Sequence, residues 1–216
     1  MIKACIFDCD GTLMDTLVSI AHSANCALRD CGFQEFPTEE YKTMVGDGAA
    51  ELIRRCLRKN GEPECESFDR VFARFREYFK EGCKYRVVPY DGITELLDAL
   101  KKRGILIAVL SNKPHFQTVD VIDSVFQKGT FDHVQGMREE IPRKPAPDGA
   151  LLIAEKWNVR PDECLYIGDT NTDMMTGNRA GMHTVGVLWG FRDRQELEEN
   201  HAETIVEKPM DILKLL

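Results

Sequence analysis

The stretch IFDCDGTLMDT, Ile6–Thr16, decides how this chain is read. It sets Asp8, Asp10 and Asp15 close together, two of them flanking Cys9, directly behind the apolar run IKACIF. A run that short, stopped by charge and glycine, reads as a strand buried on both faces of a parallel sheet. Working outward, similar runs recur at ILIAVL (Ile105 to Leu110), CLYI (Cys164 to Ile167) and HTVGVL (His183 to Leu188). Each follows a helical pattern: GITELLDALKKRG, with Gly104 as its stop signal, then PDGALLIAEKWNV and NTDMMTGNRAG. Strands alternating with helices in this way predict βαβ units and hence an α/β fold with a doubly wound parallel sheet.

The alternation is interrupted between Thr16 and Arg86. The patterns there are helical: LVSIAHSANCALRDCG, TEEYKTMV, AAELIRRCLRKNG and FDRVFARFREYFKEG. In the last of these, Phe68, Val71, Phe72, Phe75, Tyr78 and Phe79 share one face, a stripe that reads as packing within a small bundle. The chain is therefore expected to comprise a core formed by residues 1–15 and 87–216 and an all-helical insert over 16–86.

Ligands of open α/β sheets bind at the carboxyl ends of the strands. Those ends carry Asp8 and Asp10, then Ser111 and Asn112, then GDTNTD with Asp169 and Asp173, while RKPAPDG puts Lys144 in a loop just before a helix. Four carboxylates on one rim repel strongly: a like-charged pair at 4 Å costs roughly 4 kcal/mol at an effective dielectric near 20. A cation is required, and all-oxygen ligands select a hard ion such as Mg²⁺. A carboxylate can attack a phosphoryl group and form an aspartyl phosphate once the charge on the phosphate is neutralised, and Lys144 adds fixed positive charge for that purpose. Asp10 alternates to the same side as Asp8 if the strand continues, where it can protonate a leaving oxygen and later activate water.

FDCDGTLMDT, VLSNK, RKPAPDG and GDTNTD resemble, in order and spacing, the four motifs of the haloacid dehalogenase-like superfamily of phosphohydrolases. The resemblance spans nearly the whole chain. It implies Asp8 as nucleophile and metal ligand and Asp10 as general acid/base, with the Asp10 backbone carbonyl also on the metal. It further implies Ser111 as the hydroxyl on the phosphoryl group, with Gly11, Thr12 and Asn112 lining the substrate site. Lys144 is implied as the steadying cation and Asp169 as a metal ligand. Asp173 is implied either to bind the ion through water or to hold the loop and Lys144, and its place also suits the start of a helix. The helical insert lies where this superfamily carries a C1-type cap, a lid that excludes water and shapes substrate choice.

Within the superfamily, MVGDGAAELIRR, SNKP and KPAPDGALLIAEKWNVRPDECLYIGDT are similar to the phosphoglycolate phosphatase branch, with Ser111 at a position where threonine is common. The resemblance thus implies a Mg²⁺-dependent phosphatase acting on a small phosphorylated metabolite. Pyrophosphatase and nucleotide phosphatase activities stand as alternatives on the same scaffold. A phosphomutase would need extra sugar-binding and acid/base groups in the insert, a dehalogenase has no use for Asp10, and a non-catalytic binding protein could dispense with a motif residue. His22, Asn25, Arg54, Arg55 and His115 read as structural or solvated groups, WGFR (Trp189 to Arg192) as packing near the entrance, and Gly46, Asp47 and Gly48 either as a flexible loop that approaches a ligand or as a helix end followed by a new N-cap.

Composition narrows the classes further. A net charge of −8 over 216 residues argues against a nucleic-acid partner, since such surfaces are basic. The eight cysteines include no CxxC pair or zinc-like spacing, so they read as free thiols. No stretch approaches the 18 apolar residues of a membrane span, and a cytoplasmic location is expected.

Overall fold

The computed structural model describes all residues, Met1–Leu216. Two compact units emerge, one made of Met1–Asp15 with Val88–Leu216 and the other of Thr16–Val87.

The first unit begins with strand β1 (Ala4–Phe7) and the short β2 (Met14–Asp15). The chain then forms the second unit, with helices α1 (Leu17–Asp30), α2 (Ala49–Lys59) and α3 (Phe68–Gly82). It re-enters the first unit through β3 (Val88–Pro89), which pairs antiparallel with β2. There follow α4 (Ile93–Lys102), β4 (Leu106–Pro114), α5 (His115–Val125), β5 (His133–Met137) and α6 (Asp148–Lys156). The chain continues with β6 (Cys164–Gly168), α7 (Asn171–Ala180), β7 (His183–Val187), α8 (Arg194–Glu199) and β8 (Thr204–Val206).

Six strands form one sheet in the order β5-β4-β1-β6-β7-β8, every pair parallel. This is the α/β, doubly wound arrangement that the alternation of strands and helices predicts. β1 lies at the centre because it pairs with β4 on one side and β6 on the other, and the chain reverses its direction of travel across the sheet there. The register aligns Phe7 with both Val109 and Ile167, so the residues just beyond them leave the sheet at one level. On one face, Ala4, Ile6, Ala108, Leu110 and Tyr166 pack against Ala150, Ile153 and Ala154 of α6. Alternation sends Cys5 and Phe7 to the opposite face, and both are also fully buried.

Several details differ from the sequence expectation. Strand β4 runs on through Ser111 and Asn112 to Pro114, with a break in its register against β5 between Leu110 and Pro114. β5 and β8 carry no clear strand signal because they are short edge strands; β5 includes His133, Gln135 and Gly136. Thr38–Thr43 is a 3-10 helix rather than an α-helix, entered through Pro37.

In the helical unit, the aromatic stripe is packing. Val71, Phe75 and Phe79 are buried, and Phe75 and Phe79 stack with ring centroids 5.0 Å apart. Asn25 holds both backbone groups of Phe36 and accepts from the Tyr41 hydroxyl at 2.7 Å. Arg55 pairs with Asp47 and donates to the Met44 carbonyl, and the Arg54 guanidinium sits over the Phe68 ring. Phe75→Ala is expected to cost about 3–5 kcal/mol through the cavity it leaves, and the half-buried Phe72→Ala clearly less. Urea unfolding of both variants checks the order, and equal losses would show that the stripe is not packed as described.

Candidate active site

The site is assembled from three strand ends and one loop of the first unit. Beyond Phe7 the chain stays in the ladder for one more bond, Asp8 N to Ile167 O at 2.8 Å, which fixes the Asp8 backbone. It then turns at Gly11, whose φ of +90° is strained for any residue with a side chain. A Cβ at Gly11 would also lie 2.3 Å from Asp169 Oδ2, so glycine is required for the turn and for the close approach.

Asp169 follows β6 and is fully buried. Its Oδ1 accepts from the Thr12 hydroxyl at 3.0 Å and its Oδ2 from the Phe191 amide at 2.8 Å. Burial pushes its carboxyl up to about 7; the Asp173 charge adds to this, while the Phe191 amide, Thr12 and Arg192 pull it back. Asp173 lies in the first turn of α7. Its Oδ2 accepts from the Thr170 amide at 3.1 Å and hydroxyl at 2.7 Å, a reciprocal cap that locks the helix start. Its Oδ1 accepts from Lys144 Nζ at 2.7 Å.

Lys144 comes from the connection between β5 and β6. Its Nζ donates to Asp8 Oδ1 at 2.7 Å as well, and the Asn112 amide donates to its carbonyl at 3.1 Å. Burial opposes the charge on Lys144, yet Asp173 and Asp8 outweigh it and hold the ammonium well above the ordinary lysine range. Burial also pushes the Asp8 carboxyl well above its usual range; Lys144 pulls it down, and Asp173, Asp169 and Asp10 push it up.

One carboxylate oxygen from each of Asp8, Asp169 and Asp173 lies within 4.8 Å of the other two. Three carboxylates against one ammonium leave two negative charges, the amount a divalent ion neutralises. The donors are all hard oxygens, and each carboxylate oxygen has a second lone pair, so this set fits Mg²⁺. Asp10 stands apart, its Oδ1 accepting from Lys113 Nζ at 2.5 Å.

The structure thus brings Asp8, Lys144, Asp169 and Asp173 into one cluster. Thr12 faces Asp169 with its hydroxyl, while its carbonyl accepts from the Trp189 indole at 2.9 Å. Ser111 is buried and its Oγ accepts from the Lys113 amide at 3.1 Å. His115 lies outside this network, accepting from the Gly136 amide at 3.2 Å.

Sequence reasoning missed three contributors. Lys113 was visible in SNK, although a lysine beside a strand end ordinarily reads as solvated. Thr170 could have been found from the spacing Thr-x-x-Asp, which is the form of a capping box. The WGFR loop does more than pack, since Phe191 supplies an amide to Asp169 and a Cβ on Gly190 would lie 2.3 Å from the Asp169 Cβ.

With this geometry in hand, similarity to known proteins is informative. The haloacid dehalogenase-like hydrolase family matches residues 5–187, and the chain belongs to that family. It is 29% identical to the phosphoglycolate phosphatase of Aquifex aeolicus over 99% of this chain and 96% of that protein. It is also 28% identical to that of Nitrosospira multiformis, over 100% and 96%. A crystal structure from Lactobacillus delbrueckii subsp. bulgaricus superposes with a TM-score of 0.94 at 30% identity, covering 99% of this chain and 97% of that one.

A carboxyl whose folded pKa exceeds its unfolded value stabilises the fold at low pH and loses that contribution as pH rises through the folded value. For Asp169 the loss runs from about pH 4 to about pH 7, in the absence of a divalent ion. The thermal midpoint of EDTA-treated protein is therefore expected to fall across that window, less steeply in Asp169→Asn, and Mg²⁺ should raise it more at the alkaline end. An identical slope in Asp169→Asn would overturn the assignment.

Proposed function

We propose that the chain is a Mg²⁺-dependent phosphoric monoester hydrolase working through an aspartyl phosphate, with phosphoglycolate its first candidate substrate. The observation that carries this reading is the buried Lys144 ammonium, held at 2.7 Å from both Asp8 and Asp173. A nucleophilic carboxylate beside a fixed cation is what attack on an anionic phosphate demands. The names of the similar bacterial proteins support the choice of phosphoglycolate.

In this mechanism Asp8 attacks phosphorus and the bond to the leaving oxygen breaks, while Asp10 delivers a proton so that the alcohol departs neutral. Water then attacks the aspartyl phosphate, Asp10 takes the proton back, and phosphate leaves with Asp8 restored. Ser111 binds the phosphoryl oxygens, with Gly11, Thr12 and Asn112 shaping the loops around it. Lys144 offsets the charge that Asp8 and the phosphate bring together. Asp8, Asp169 and the Asp10 carbonyl would hold Mg²⁺, which supplies Lewis-acid neutralisation of the phosphoryl charge when bound. Asp173 is the third carboxylate facing this position, and through its bonds to Lys144 and Thr170 it also holds the lysine and the loop in place.

The eight free thiols fit a reducing compartment, so we place the activity in the cytoplasm. No helix is long and apolar enough to cross a membrane.

Phosphate release across a panel of small phosphomonoesters, pyrophosphate and nucleotides, with and without Mg²⁺, tests the reading. Phosphoglycolate is expected to head the panel, and Asp8→Asn to lose at least about 10³-fold in kcat/KM, roughly 4 kcal/mol. Activity of Asp8→Asn close to the parent would refute the mechanism, and preference for pyrophosphate or a nucleotide would change the substrate.

A further inference from the structure

The acidic residues of the site are served by two separate cations. Lys144 pairs with Asp8 and Asp173, whereas Lys113 pairs with Asp10. The Lys113 side chain is only 2% exposed, and desolvating an ammonium to that degree costs several kcal/mol unless a partner meets it. Its backbone is held on two sides: the amide donates to Ser111 Oγ at 3.1 Å, and the carbonyl accepts from Thr118 Oγ1 at 3.1 Å. Gly136 closes the third side, since a Cβ there would come within 2.6 Å of the Lys113 carbonyl oxygen. Lys113 is thus a braced cation reaching from β4 to the loop after β1, 103 residues away in sequence.

We propose that Lys113 is the positioning residue for the proton-transfer group. Its ammonium anchors Asp10 Oδ1, keeps that side chain out of the Asp8, Asp169 and Asp173 cluster, and so leaves Oδ2 as the oxygen that exchanges the proton. The inference rests on the phosphatase reading above. In the first half-reaction the Asp8–phosphorus bond forms as the phosphorus–oxygen bond of the ester breaks, and the proton passes from Asp10 to the departing alkoxide. In the second, water gives its proton to Asp10 as it displaces Asp8 from phosphorus. Lys113 neither gains nor loses a proton in either half.

Leaving groups separate this role from a merely structural one. A poor leaving group, the alkoxide of phosphoglycolate, needs the proton; p-nitrophenolate departs without it. General-acid catalysis is worth about 10²–10⁴-fold, and losing its orientation forfeits a part of that. Lys113→Met is expected to lower kcat/KM for phosphoglycolate by roughly 10- to 100-fold and for p-nitrophenyl phosphate by less than about threefold. Calorimetric Mg²⁺ affinity, read without substrate, should change by less than about tenfold, because the side chains of Asp8, Asp169 and Asp173 keep their own partners.

Equal losses on the two esters would overturn the proposal, as would a Mg²⁺ affinity changed more than about tenfold, since Lys113 would then act on the cluster. Should Lys113→Met fail to fold, Asp10→Asn and the charge-balanced Asp10→Asn/Lys113→Met give the same test. The double variant is expected to match Asp10→Asn alone on both esters, and a further tenfold loss would sink the idea. Asp8→Asn keeps the two questions apart: if it retains activity on both esters, the phosphatase mechanism itself has failed, whatever Lys113 does.

Discussion

A single ammonium group, Lys144 Nζ, sits between Asp8 and Asp173 at 2.7 Å from each, and most of the site depends on it. None of the three side chains is more than 9% exposed. Stripping one partner from such a group leaves a buried charge unmatched, typically a penalty of about 3–5 kcal/mol. The surrounding structure is arranged to keep the three together. Thr170 clamps Asp173 into the first turn of α7, Asn112 ties the Lys144 carbonyl to β4, and the β1–β6 ladder extends one bond to fix the Asp8 backbone.

That ion pair does not complete the charge balance. Asp169 brings a third carboxylate into the cluster, and the Thr12 hydroxyl, the Phe191 amide and Arg192 compensate it only in part, which leaves its proton affinity raised. The shortfall of two positive charges has the size and the hard-oxygen character of a divalent ion. Asp10 lies outside this sum because Lys113 matches it separately. Side chains of one chemical type thus stand in two different charge environments, set by which lysine each one meets.

Much of the architecture was legible along the chain because its signals are local. Four strands buried on both faces read as apolar runs, and the helices between them show their stop signals, as at Gly104, which takes a φ of +72°. The edge strands β5 and β8 were not legible. An edge strand makes one ladder instead of two and tolerates His133, Gln135 and Gly136, so the apolar pattern that marks a central strand is absent. The extension of β4 through Ser111 to Pro114 was hidden for a related reason, since those polar residues are in the strand to present side chains at its rim rather than to pack.

For the site, the order and type of the motif residues were determined by the sequence alone: carboxylates after two strands, a hydroxyl after a third, a lysine before a helix. Residue chemistry is carried by each side chain wherever the fold puts it, and that sufficed to imply a hard cation and a phosphoryl group. Only the tertiary structure decided the pairings. Lys144 reaches Asp8 across 136 residues of sequence and Lys113 reaches Asp10 across 103, and no local rule links such positions. Which lysine faces which aspartate is settled by the sheet register, which sets Val109 and Ile167 level with Phe7, and by the glycines that let the loops beyond those strands close to van der Waals contact.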